Sequence, residues 1–259
     1  MLRLIINLDR CPERWIAMQS QLNSVGLDAL RVSAVDSRVR EGGGKQEAAP
    51  LNSLKKYYFP RELSMGEICC YLSHKKCWQM LLASKEQWAV IFEDDAKFSP
   101  CIKDYVLSSD WIPPSLHIIQ LHTYEKEWHC LTLPDPISLP NKNSALFHVI
   151  QPTYGTCAYV IDRQAAQKAL SLSESLAAPV DEFLFNFKSP FTQEFPVWRL
   201  NPSCVLHDDG FQSDIGARRF SSKQQYSLIN HLHPKRLFLS AWKSYLKKFR
   251  CKDIVFTWK

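Results

Sequence analysis

The stretch from Leu4 to Leu8 is apolar but for Asn7 and stops at Asp9 and Arg10, and behind Pro12 the residues Trp15, Met18, Leu22 and Val25 recur at helical spacing as far as Gly26. This pattern predicts a buried strand feeding a helix that opens on proline and closes on glycine. A second strand is predicted over Ala29 to Val35, ending at Asp36, after which Gly42, Gly43, Gly44 and Pro50 mark a long polar loop of the lid type. Ser64-Met65-Gly66-Glu67 has the form of a capping box and predicts a helix from 65 to about 84, on which Cys70, Cys77 and Leu81 share a face with Ser73 and His74. Trp88 to Phe92 then reads as a central strand and ends abruptly in Glu93-Asp94-Asp95.

From about residue 115 the pattern shortens. Strands are expected at Leu116 to Leu121, Ala145 to Ile150 and Cys157 to Ile161, with a loop holding Pro134, Pro136 and Pro140 between them. One helix is expected from near Arg163 and a short one after Pro179. Strand and helix alternate early and short strands follow, so the expected class is α/β with a mixed sheet flanked by helices.

Composition adds size and polarity to that outline. The 259 residues, 46% of them hydrophobic, suffice for one large domain with a sizeable core. The nine cysteines are odd in number, scattered, and without C-x2-C spacing, which points to reduced, structural thiols. No apolar run reaches the roughly 18 residues of a membrane span, and the N-terminal run is too short for a signal sequence, so a cytoplasmic protein is expected. Charge is unevenly spread: residues 218–259 hold eleven Lys/Arg against Asp253 alone, a balance of +10, which leaves −4 for residues 1–217. The division suggests a catalytic or binding body over 1–217 and a basic tail over 218–259 that seeks an anionic partner.

Ligands of open α/β sheets gather at the carboxyl ends of strands, so the acids after Phe92 are the first candidates for chemistry. A strand's period of two sends Glu93 and Asp95 to one side and Asp94 to the other. Two convergent carboxylates suit a hard divalent cation, Mn²⁺ or Mg²⁺, that in turn holds a diphosphate; the plain alternative is a solvated acidic turn. Other phosphate devices are missing from the sequence: there is no G-x-G-x-x-G, no complete P-loop around Gly42 to Lys45, and no G-x-S-x-G elbow.

Six segments in order carry a resemblance: Ile5 to Arg10 with Glu13-Arg14; Arg31 to Asp36; Gly66 to Cys69 with Leu72-Ser73-His74; Ile91 to Asp95; Gly155 to Ile161; and Pro179 to Leu184. Together, over about residues 4–215, they resemble the signatures of glycosyltransferase family 25, which includes lipopolysaccharide and lipooligosaccharide galactosyl- and glucosyltransferases and collagen galactosyltransferases. The resemblance implies a GT-A fold, a nucleotide-sugar donor and inversion at the anomeric carbon. Carried over residue by residue, it implies that Asn7 and Leu8 meet the uracil and ribose, that Arg10 or Arg14 reaches the diphosphate, and that Asp36 accepts from ribose hydroxyls or the base. Asp94, Ser73 and His74 would belong to the same nucleotide-sugar pocket, and Tyr154, Gly155 and Thr156 would line its sugar or acceptor side. For Arg14 a solvated helix face, for Asp36 a loop cap and for His74 a satisfied core histidine are the plain alternatives. His207, on a late segment Leu200 to His207, is either a third ligand beside Glu93 and Asp95 or a structural imidazole.

Inverting transfer needs a carboxylate to take the acceptor proton, and Asp181 and Glu182 are the candidates, Asp181 being equally suited to cap the following helix. In the tail, Phe238, Trp242, Tyr245 and Phe249 fall at i, i+4, i+7 and i+11 among Lys243, Lys247, Lys248 and Arg250. This predicts a basic amphipathic helix that either lies on an anionic membrane surface near a lipid-linked oligosaccharide acceptor or docks its aromatic face on the body. The overall expectation is an inverting hexosyltransferase, galactose favoured, using a UDP-sugar donor and acting on a lipopolysaccharide or lipooligosaccharide core sugar at the inner membrane. The competing classes are a catalytically silent sugar-nucleotide or glycan-binding module and a nucleic-acid binder. The last rests only on the tail's cations and aromatics, so nucleic acid is not expected as a partner.

Overall fold

A computed structural model describes residues 1–38, 62–139, 143–173, 178–208, 210 and 252–258. The polar loop around Gly42 to Pro50, the Ser/Lys/Gln stretch at 221–225 that reads as a linker, and the helix expected in the aromatic tail lie outside the described residues.

Strand β1 (Leu2–Asn7) runs into helix α1 (Pro12–Val25), which opens with Pro12 in its first turn and closes on Gly26 in the left-handed conformation at φ 60°. Strand β2 (Leu30–Ser33) follows. Helix α2 (Met65–Ala83) starts at the expected capping box: the Glu67 N–H donates to Ser64 Oγ, and the Ser64 N–H donates to Glu67 Oε2 at 2.8 Å. Strands β3 (Trp88–Glu93) and β4 (Ala96–Phe98) flank the acidic turn, and the short helix α3 (Lys103–Val106) precedes β5 (Ile118–Gln120) and β6 (His122–Thr123). Then come β7 (Glu127–Thr132), β8 (Ile137–Leu139), β9 (Ser144–His148) and β10 (Ala158–Asp162). Helix α4 (Arg163–Leu172) is capped by Asp162, whose carboxylate accepts from the Ala165 N–H at 2.8 Å; α5 (Val180–Phe185) and α6 (Pro190–Glu194) follow it. The chain closes with β11 (Trp198–Asn201), β12 (Val205–His207) and β13 (Lys252–Thr257).

The main sheet has the order β2-β1-β3-β10-β5-β11-β9-β8. Its β1–β2 and β1–β3 pairings are parallel, whereas β10 runs antiparallel to both β3 and β5, so the sheet is mixed as expected for a GT-A-like fold. Burial on both faces explains the continuous apolar runs. Ile5, Val90, Phe92, Ile119 and Val160 face Met18 and Leu22 of α1, while the alternate residues Leu4, Ile91, Ile118, Tyr159 and Ile161 face Trp78 and Leu81 of α2, Ala166 of α4 and Phe183 of α5. The period of two along β1, β3 and β10 thus builds two cores with one set of strands.

A second sheet, β4-β12-β6, continues from the carboxyl ends of β3 and β5, and β13 pairs antiparallel with β7. The late segment Leu200 to His207 is shared between two strands, β11 and β12, and Pro202 between them has no N–H to donate to a ladder. The last residues of the basic tail pack on the body: Phe256 is fully buried, and the Ser203 N–H donates to the Thr257 carbonyl at 2.7 Å. Among the described residues no helix is long and apolar enough to cross a membrane, and none of the eight described cysteines is in a disulfide.

Candidate functional site

A pocket opens where β3 ends. Glu93 and Asp95, Pro179 with Val180 and Asp181 at the start of α5, Gly155 and Thr156 before β10, Tyr124, His207 of β12, and Glu67 and Cys70 of α2 line it. Six sequence segments more than 20 residues apart therefore meet at the carboxyl end of a central strand, the position that open α/β sheets use for ligands.

Strand alternation divides the three acids as expected. Glu93 and Asp95 face the pocket, and Asp94 turns back to accept from Asn7 Nδ2 at 2.6 Å and from Arg14 at 3.0 Å. Burial raises the pKa of the Asp94 carboxyl, with the Asn7 and Arg14 contacts opposing it. Asn7 is a buried hub: its amide also donates to the Cys11 carbonyl at 3.2 Å, and its oxygen accepts from Arg31 at 2.6 and 2.9 Å. Its side chain joins β1, β2 and the acidic turn, while Leu8 lies half-buried beyond the strand end. Arg14 is no solvated helix face, since the Asp94 pair is buried. Arg10 and Asp36 meet each other at 2.9 Å, and Asp36 also accepts from the Arg38 N–H at 2.9 Å, the loop-capping contact.

On the α2 side, Ser73 is buried, donates to the Cys69 carbonyl at 2.7 Å and accepts from the Val35 N–H at 2.9 Å, so its hydroxyl ties the exit of β2 to the helix. His74 is fully buried, with Nδ1 3.0 Å from the Tyr159 hydroxyl and Nε2 3.3 Å from Glu93 Oε1. Glu93 accepts a further hydrogen bond from Thr156 Oγ1. Burial works against the Glu93 carboxylate, but the His74 and Thr156 contacts outweigh it and hold its pKa well below the usual range.

Asp181 lies buried in the first turn of α5, where one carboxylate oxygen accepts from the Gly155 N–H and the other from the Glu182 N–H, both at 3.0 Å. The Glu182 carboxylate instead accepts from Asn186 at 2.7 Å, and it is Asp181 that lines the pocket. Gly155 has φ 80°, and a Cβ there would come within 1.6 Å of the Tyr124 hydroxyl, so the turn admits only glycine while Tyr124 stays in place. Tyr154 beside it is half-exposed. The Tyr124 ring lies between His122, edge-on at 5.4 Å, and His207, tilted at 4.9 Å. His207 Nε2 approaches Asp95 Oδ2 at 3.2 Å, and Asp95 Oδ1 is buried with no hydrogen-bond partner among the described residues.

Behind the pocket, His122 is buried with Nδ1 against the Ala158 backbone, 3.1 Å from its carbonyl, and burial and then the neighbouring Arg199 drive its pKa down to about 3. Arg199 is itself fully buried beneath the rings of Trp128, at 4.3 Å, and Phe256, at 5.2 Å, and donates to the His122 carbonyl. Tyr124, Cys70 and Glu67 are pocket residues that sequence reasoning did not select. Cys70 had a usable signal in its i, i+4 spacing from His74, and Tyr124 in following the expected Leu116 to Leu121 strand at the sheet's carboxyl edge.

Comparison with known proteins bears on this arrangement. A model of glycosyltransferase family 25 (LPS biosynthesis protein) matches residues 1–184. A "Glycosyltransferase 25 family member" of Aedes aegypti is 29% identical over 241 residues, covering 81% of this chain and 37% of that protein. "Procollagen galactosyltransferase 1" of Danio rerio is 27% identical over 191 residues, and the "Inactive glycosyltransferase 25 family member 3" of Mus musculus 28% over 191; each match covers 70% of this chain and 30% of the relative. The chain spans about a third of the length of these curated relatives. With the family model covering well over half of its residues, the chain belongs to glycosyltransferase family 25.

Proposed function

We propose that this chain transfers a hexose, galactose in the first instance, from a UDP-sugar to a core sugar of a lipid-linked oligosaccharide, with inversion at the anomeric carbon. The observation that carries the proposal is the convergence of Asp181 with Glu93, Asp95 and His207 on one pocket at the end of β3. The name of the Danio rerio relative favours galactose as the first donor to test.

Asp181 serves as the general base. Its carboxylate is fixed by two backbone N–H groups and lines the pocket, so its position is set before substrate arrives. As the acceptor hydroxyl attacks the anomeric carbon, its proton passes to Asp181 and the UDP leaves from the opposite face. Asn7, Leu8, Arg10, Arg14, Asp36, Asp94, Ser73 and His74 shape the nucleotide side, most of them through the contacts that hold β1, β2 and α2 together. Tyr154, Gly155 and Thr156 form the sugar side.

The donor set fits a hard divalent cation, Mn²⁺ or Mg²⁺: two carboxylates and an imidazole face one pocket, and the buried Asp95 Oδ1 has no hydrogen-bond partner among the described residues. Such ions need only one or two protein carboxylates when substrate phosphates complete their shell, so Asp95, with Glu93 and His207 beside it, would hold one. When bound, the ion would offset the charge on the departing diphosphate.

The tail's charge supports a place at an anionic membrane surface. Replacing Lys243, Lys247, Lys248 and Arg250 with Gln should weaken vesicle binding while sparing transfer to a soluble acceptor. Screening beyond about 8 Å at physiological salt should make that binding steeply salt-dependent.

A silent binding module would have no need of Asp95 and Asp181 in one pocket; the Mus musculus relative is named inactive. A panel of UDP-sugars with Mn²⁺, scored for hydrolysis and for transfer to galactose- or heptose-bearing acceptors, separates the two readings. The enzyme reading expects turnover with one donor, lost in EDTA and in Asp95→Ala. Turnover of none of the donors, or full activity without metal, would overturn it.

A further inference from the structure

On the α2 wall of the pocket three donor atoms of different chemistry meet. Cys70 and His74 stand one turn apart on the same face of α2, and Glu93 comes from the end of β3. One ligand atom from each, a thiol sulfur, an imidazole nitrogen and a carboxylate oxygen, lies within 4.8 Å of the other two. His74 is fully buried and its ring is fixed: Nδ1 is 3.0 Å from the Tyr159 hydroxyl, which also accepts from Trp78 Nε1 at 3.0 Å, and Nε2 points at Glu93 Oε1.

A thiolate, an imidazole and one carboxylate select a borderline-soft cation, whereas Mg²⁺ and Mn²⁺ favour oxygen. In a tetrahedral zinc shell with bonds of about 2.0–2.3 Å, ligand atoms sit roughly 3.3–3.7 Å apart. His74 Nε2 and Glu93 Oε1, at 3.3 Å, already have that separation. We propose that Cys70, His74 and Glu93 form a Zn²⁺ site, which shares Glu93 with the oxygen-rich position at Asp95 and takes its other ligands from α2, with its fourth coordination place open to the pocket. On binding, the Cys70 thiol releases its proton to solvent, and the hydrogen that His74 Nε2 directs at Glu93 in the metal-free protein is displaced, so that the imidazole carries its proton on Nδ1, donated to the Tyr159 oxygen, and the Nε2 lone pair faces the ion. Occupancy also engages Glu93, so zinc would oppose the proposed transfer reaction. That last consequence rests on the transferase reading, and the site itself does not.

The test uses the full chain and Co²⁺ as a spectroscopic stand-in for Zn²⁺. Binding should produce a near-ultraviolet thiolate-to-cobalt charge-transfer band with the visible bands of a tetrahedral ion, both displaced by Zn²⁺. Cys70→Ser should lose the charge-transfer band and Cys101→Ser should keep it, while Glu93→Gln should keep the band and weaken binding by about 10-fold or more. In the unsubstituted protein, equimolar Zn²⁺ but not Mg²⁺ should protect Cys70 from alkylation, read by peptide mass, which covers the case of a Cys70→Ser protein that does not fold. No charge-transfer band, a band that survives Cys70→Ser, or alkylation of Cys70 unaffected by Zn²⁺ would overturn the site. A protein that binds Co²⁺ as described yet turns over no UDP-sugar would sink the transferase reading and leave the zinc site standing.

Discussion

Asp181 Oδ2 accepts the backbone N–H of Gly155 at 3.0 Å, so the group proposed to take the acceptor proton also holds the turn that forms the sugar side of the pocket. The two roles separate by substitution. Asp181→Asn keeps an acceptor oxygen for Gly155 and loses the base, and should lower kcat by about 10²-fold or more with UDP binding nearly unchanged. Asp181→Ala also strands the Gly155 N–H and should cost about 1–3 kcal/mol of stability in addition. Steady-state kinetics and urea unfolding of both variants check this, and wild-type turnover in Asp181→Asn would move the base to another acid.

Gly155 and Tyr124 form a second coupled pair. Gly155→Ala adds a Cβ that would collide with the Tyr124 hydroxyl and places a side chain at φ 80°, so both stability and transfer should fall. Tyr124→Ala in the same chain removes the collision but not the backbone strain of roughly 1–2 kcal/mol. A double-mutant cycle should therefore show partial rescue, and strictly additive losses would deny the contact.

His122 should make the fold acid-sensitive. Its folded pKa lies near 3, because burial and Arg199 disfavour the imidazolium and the Glu93 carboxylate only partly opposes them, against an ordinary value of 6.5. Between those values the unfolded chain binds the extra proton, so stability falls as pH drops from about 6.5 toward 3. From pH 7 to pH 5 the loss from this one group is on the order of 2 kcal/mol. Glu93, whose folded pKa is depressed, adds a loss of the same sign below the ordinary carboxylate range. Urea unfolding at both pH values should show a smaller pH 5 penalty for His122→Asn than for the unsubstituted protein; equal penalties would remove His122 as the cause.

The sequence made legible the elements whose signals are local. The β1 and β3 runs read as buried strands because both faces are covered, and Pro12, Gly26 and the Ser64–Glu67 box marked helix ends through groups that satisfy their own turns. The alternation of Glu93, Asp94 and Asp95 followed from strand geometry alone. What stayed hidden depends on partners far along the chain. The Asn7 amide, expected at a ligand, meets Arg31 and Asp94, and no local pattern announces a buried side-chain hub. Strand β13 has only Ile254 and Phe256 turned inward, within a segment whose dominant feature is positive charge. Tyr124 belongs to the pocket through its contacts with Gly155 and His207, neither of them near it in sequence.

Phe256 should be a stability residue despite its place in the basic segment. It is fully buried, stacks on Arg199 and meets Phe147 edge-on at 5.5 Å. Phe256→Ala should cost about 3–5 kcal/mol, against less than about 0.5 kcal/mol for Val255→Ala on the exposed face of the same strand. Thermal and urea unfolding check the pair; similar small effects would show that β13 is not part of the cooperative unit.

The pairing of β13 with β7 also bears on the order of events as the chain folds. The Thr132 hydroxyl meets the Lys252 carbonyl across 120 residues, whereas β1, α1 and β2 meet within the first 33. Long loops close late because their entropy must be lost before their contacts form. In refolding, the early strands are therefore expected to join before Phe256 covers Arg199. Burial of that guanidinium, together with its fall in pKa to about 10, should then accompany arrival at the native state rather than collapse of the core.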